Sequence, residues 1–101
     1  MPVFVLLSTL TEEFKEKLRN EPELLLDVCC KMEGYDQDIL SQIVTLGPYN
    51  FLNIVEVKDE KAIYRISEEM DSTGNMKTLV MPALPLREYV EKVKNCLKSH
   101  S

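Results

Sequence analysis

The chain has one histidine, His100, no tryptophan, and only three glycines, Gly34, Gly47 and Gly74. With no histidine in its body, Ser-His and Cys-His nucleophile pairs are excluded, as is an axial histidine for haem. The glycines stand far apart, and none opens a Gly-rich loop followed by Lys-Ser or Lys-Thr, so there is no phosphate cradle. Cysteine is scarce as well: Cys29 and Cys30 are neighbours on an expected helix and point about 100° apart, while Cys96 falls on another element. They cannot share a tetrahedral metal site without distortion, and their odd number is poor material for a disulfide framework. Buried or partly buried free thiols in a reducing cytoplasm are the expectation. No catalytic residue, metal ligand or cofactor site is assigned.

Positive charge is also short. The 12 basic against 17 acidic residues leave a formal charge of −5 and a pI near 4.9, so no net field draws the chain to nucleic acid or to an anionic membrane. No apolar span approaches the roughly 20 residues of a transmembrane helix. The run at residues 3–7 is short, lacks a basic flank and has no cleavage pattern, so a signal peptide is not expected.

What remains is a chain of 101 residues, 45% hydrophobic and 29% charged, the balance of one soluble domain. "VFVLL" reads as a strand apolar on both faces. Thr9 or Thr11 then caps a helix with Glu12 and Glu13 in its first turn, and Pro22 breaks it into segments at about residues 11–19 and 22–33. "ILSQIVTL" and "FLNIVEV" are strands joined by the turn "GPYN", in which Gly47 supplies an unusual backbone angle and Pro48 pre-sets the turn. Asp59 caps a helix with Ile63, Ile66 and Met70 inward, closed near Gly74; "MKTLVMPAL" is a fourth strand. Pro85 opens a last helix, about residues 85–98, with an apolar stripe of Leu86, Tyr89, Val90, Val93 and Leu97.

The order β-α-β-β-α-β plus a helix predicts an α+β, ferredoxin-like sandwich: a four-stranded antiparallel sheet, a kinked first helix and an added C-terminal helix. The core spans about residues 2–83. Because the first and third strands are apolar on both faces, the sheet side away from the helices would be an apolar surface of several hundred Å² left in water. Either the last helix or a second subunit covers it, and a homo-oligomer built on that face is the expectation.

With these segments placed, the stretch "TLGPYNFLNIVEVKDEKAIYRISEEMDSTGNMKTLVMPALPLREY" resembles the GYD domain family, whose pattern runs through a TLG-x-YD turn, an IVE strand, a helix, a G-x-x-x-T strand and a P-A end. The opening "VLLSTLTEEF" and the joint "NEPELL" resemble it too. The resemblance implies a fold similar to dimeric α+β barrels and carries no particular activity. It places the family's positions at Gly47, Tyr49 and Asn50; the literal string at Gly34-Tyr35-Asp36 falls at a helix-to-strand joint. Asn50 stands where the family has Asp, which removes the negative charge and any base at that turn.

Turn chemistry explains Gly47, Pro48 and Asn50 but not Tyr49, whose ring either packs at the sheet end or subunit contact or rims a pocket with Asn50. Asn53 and Glu56 interrupt an apolar strand, and a spacing of three puts them on opposite faces, so they are not a paired acid and base. Asn53 either finds a structural hydrogen bond or lines a ligand cavity. Tyr49, Asn50 and Asn53 are therefore the candidate ligand-binding residues. A homo-oligomeric binding, sensing or assembly module without a cofactor is the leading expectation. The alternative is a cofactor-independent oxygenase or isomerase of the dimeric α+β barrel type.

Overall fold

The computed structural model describes residues 2–33, 37–45 and 47–99, the last helical turns of residues 29–33 and 98–99 by their backbone. Gly34-Tyr35-Asp36 and His100 lie outside the described residues, as do the side chains of Cys29 and Cys30.

The strand β1 (Val3–Leu10) is followed by α1 (Glu12–Asn20) and α2 (Leu24–Glu33), then β2 (Gln37–Val44) and β3 (Phe51–Val57). The chain closes with α3 (Glu60–Ser72), β4 (Met76–Ala83) and α4 (Leu86–Ser99). Of the two candidate caps, Thr11 starts α1: its side chain accepts the Phe14 N–H at 3.2 Å. Glu21 ends that helix by donating its N–H to the Lys17 carbonyl at 2.8 Å, and new helical bonds begin with Leu24, so Pro22 separates two helices. Asp59 caps α3 by accepting the Lys61 N–H at 3.0 Å.

All strand pairs are antiparallel in the order β2-β3-β1-β4, the arrangement of a ferredoxin-like α+β sandwich. Pro82 sits inside β4 opposite Phe4. An edge strand tolerates it because one row of its N–H groups has no ladder partner. At the opposite edge, β2 carries a register shift between Ile39 and Ser41, a kink of the sort that hinders pairing with further strands.

Strand alternation sorts the side chains. Phe4, Leu6, Ser8 and Leu10 of β1, with Phe51, Asn53, Val55 and Val57 of β3, are buried on the helix side. Phe14, Val28, Ile63, Ile66 and Met70 close over them. The other side bears Val3, Val5, Leu7, Leu52 and Ile54, all half-buried, with Leu79 and Met81 of β4 and Ile43 of β2 exposed. No element of the described chain covers that surface. The last helix does not fold over it: every described side chain from Leu86 to Leu97 is exposed, including the whole apolar stripe. α4 projects beyond the sheet and gives the molecule a long axis of 59 Å against 28 and 18 Å.

Candidate functional site

The "GPYN" turn is lashed to the far end of β1. Thr45 N–H donates to the Asn50 carbonyl at 2.9 Å and closes the β2–β3 hairpin, while its hydroxyl donates to the Tyr49 carbonyl and accepts the Gly47 N–H. Asn50 then reaches out of the turn: its N–H donates to the Ser8 carbonyl at 2.9 Å, and its Oδ1 accepts the Leu10 N–H at 3.1 Å. Its Nδ2 points back to the Gly47 carbonyl at 3.4 Å. Both ends of the Asn50 amide are thus occupied by backbone.

Two expectations about this turn meet the geometry. Gly47 has no positive φ, and a Cβ there would meet only Thr45 Oγ1 at 3.8 Å, so the unusual angle expected of it is absent. Among the described residues the left-handed conformation falls at Gly74, φ 74°, in the α3–β4 turn. Tyr49 is 39% exposed.

Asn53 lies three residues along β3 and wholly inside, with no exposed surface. It faces Leu6 on one side and Gln42 on the other, and its Oδ1 accepts from Gln42 Nε2 at 2.9 Å. Its Nδ2 has no hydrogen-bond partner among the described residues. A buried, unpartnered amide N–H carries a penalty of about 1–3 kcal/mol, so this position is held against a cost. Glu56 is on the opposite face, as its spacing requires, directly across from Asp38 of β2. A neighbouring polar pair, Ser8 and Thr78, satisfies itself across β1 and β4 at 2.9 Å.

The three candidate residues therefore divide. Tyr49 and Asn50 belong to a corner, whereas Asn53 belongs to the interior. A cavity of about 230 Å³ opens where Phe14, Leu24 and Val28 meet Lys17, Asp27, Thr73 and Asn75. Two depressions of about 350 Å³ are shallow dents on the outer surfaces of α1 and α4. Sequence reading passed over the first because its lining comes from α1, α2 and the α3–β4 turn, which no local pattern connects. Among the described residues no three His, Cys, Asp or Glu side chains converge as metal ligands, and no helix is long and apolar enough to cross a membrane.

A ferredoxin-like sheet with one face packed and the other open is a common α+β architecture that many unrelated proteins share. This chain belongs to the GYD domain family, whose profile matches residues 4–93. It is 34% identical, over 95 residues, to the "Glutamine synthetase and cystathionine beta-lyase binding protein" of Thermus thermophilus, an alignment covering 93% of this chain and all of the relative. No solved structure matches the chain.

Proposed function

We propose that this protein is a homo-oligomeric protein-binding module that attaches to metabolic enzyme subunits rather than carrying out chemistry itself. The observation that carries this reading is the amount of apolar surface the fold leaves uncovered in two places, the outer sheet face and the α4 stripe. Isolated exposed apolar residues are ordinary, but apolar side chains gathered along one sheet face and one helix stripe mark interaction surfaces. The relative named for binding glutamine synthetase and cystathionine beta-lyase supports protein partners of the same kind here. On this reading the sheet face joins copies of the chain, and Tyr49 at its exposed corner contributes an aromatic contact to a partner.

The test is native mass spectrometry of the chain, alone and mixed with purified glutamine synthetase or cystathionine beta-lyase from the same host. An oligomer alone and a stoichiometric complex with either enzyme are expected. A bare monomer that binds neither overturns the reading.

A second reading, a cofactor-independent small-molecule enzyme, has one observation in its favour: the unpartnered Nδ2 of Asn53. A substrate carbonyl lodged between sheet and helices would satisfy it, with Asn53 orienting the substrate. The same spectra address it, since a bound molecule retained in gentle ionisation adds mass that Asn53→Leu removes.

A further inference from the structure

We infer that α4 is an exchanged arm: in the homo-oligomer, a dimer, it leaves its own subunit and lies across the open sheet face of a second copy, whose arm returns the contact. This rests on the homo-oligomer reading above and adds to it which element does the covering.

Three observations converge on that occupant. Direction comes first. Only Leu84 and Pro85 separate β4 from α4, and a residue before proline is confined to extended geometry, so the chain continues outward instead of doubling back. The result is a helix with its apolar stripe in water, Leu86 at 76% and Leu97 at 68% exposure, which no isolated subunit gains from.

Length is the second. The stripe from Leu86 to Leu97 runs about 16 Å at helical rise, and the open face from Val3 to Thr9 runs about 20 Å at strand rise. One arm spans one face. Exchanging such an element between identical chains uses each contact twice and closes the assembly.

Charge is the third. At the sheet end where α4 departs, the outer-face row reads Asp38, Glu56, Val3, Ala83. Two carboxylates directly across a strand pair repel each other, so this end of the face favours a cationic partner. The flanks of the α4 stripe are cationic, Arg87 and Lys94 on one side and Lys92 on the other, with Glu88 and Glu91 on the far side of the helix. In a twofold arrangement the arm enters the partner's face at this same end and brings Arg87, in its first turn, toward the acidic pair.

The experiment uses the full chain carrying either Val93→Asp, which spoils the arm, or Leu79→Asp, which spoils the face; both side chains are solvent-exposed, at 40% and 46%. Native mass spectrometry reads each variant alone and the two mixed in equal amounts, and circular dichroism shows that each is folded. Met81→Lys replaces Leu79→Asp if the latter is not. The expected result is a dimer for the unaltered chain, a monomer for each variant alone, and a mixed dimer on combination, since the mixture keeps one sound arm on one sound face. If Val93→Asp stays dimeric, the sheets pack without the arm, and the exchange fails while the homo-oligomer reading stands. If the unaltered chain is a monomer, that reading itself fails and the arm belongs to another protein. Two monomeric variants that give no mixed dimer also overturn the exchange.

Discussion

Asn50 Oδ1 accepts the backbone N–H of Leu10 at 3.1 Å across forty positions of sequence, and so the hairpin corner is fastened to the end of the central strand β1. The β1–β3 ladder ends at Ser8 opposite Phe51, and Asn50 extends the attachment one step further. Removing the side chain by Asn50→Ala leaves Leu10 N–H without its acceptor and should cost about 1–2 kcal/mol. Asn50→Asp, the residue that the sequence resemblance puts at this position, keeps an acceptor in place and makes it charged, while losing the weaker donation to Gly47. It is expected to stay within about 1 kcal/mol of the unaltered protein. Urea denaturation compares the two, and equal losses would mean that the Leu10 bond does not hold the corner.

Asn53 is the interior residue with an unmet donor. Asn53→Leu exchanges a buried, half-satisfied amide for an apolar group of similar size, and exposed Gln42 can turn to water. Stability should be unchanged or raised by up to about 1 kcal/mol. A drop of more than about 1 kcal/mol in the same measurement would show that Nδ2 has a partner in solution, a water or a ligand.

The two glycine turns should respond differently to alanine. Gly74→Ala forces a side chain into left-handed geometry in open space, a backbone penalty of about 1 kcal/mol. Gly47→Ala meets neither a positive φ nor a clash and should cost less than about 0.5 kcal/mol. Thermal unfolding by circular dichroism ranks them; the reverse order would contradict the geometry of both turns.

The exchanged arm makes a further quantitative demand. Arg87→Glu faces a partner's acidic pair and should weaken the dimer roughly tenfold, a loss of about 1.4 kcal/mol. Glu56→Lys in the same chain should restore most of it. Sedimentation over a dilution series measures both, and a double variant no tighter than Arg87→Glu would place the arm in another register.

Much of this was legible in the sequence because it is local. The helix cap at Asp59, a cap at Thr9 or Thr11, the break at Pro22, the strand alternation of β3 and the inward face of α3 each follow from neighbours within a few residues, and the resulting order led to the ferredoxin-like sheet. The family followed from the pattern around Gly47, Tyr49 and Asn50. The angle expected at Gly47 did not follow, since hydrogen bonds to Thr45 shape that turn without left-handed geometry.

The sequence by itself determined the elements, the two-sided apolar character of β1 and β3, and the opposite facing of Asn53 and Glu56, all consequences of 3.6-residue and two-residue periodicity. Only the tertiary structure decided that Asn50 is fastened to Leu10, that Asp38 stands across from Glu56, that Asn53 keeps an unpartnered donor, and that α4 points away from the sheet instead of closing it. Each depends on register or on the direction in which one element leaves another, and periodicity along a chain contains neither.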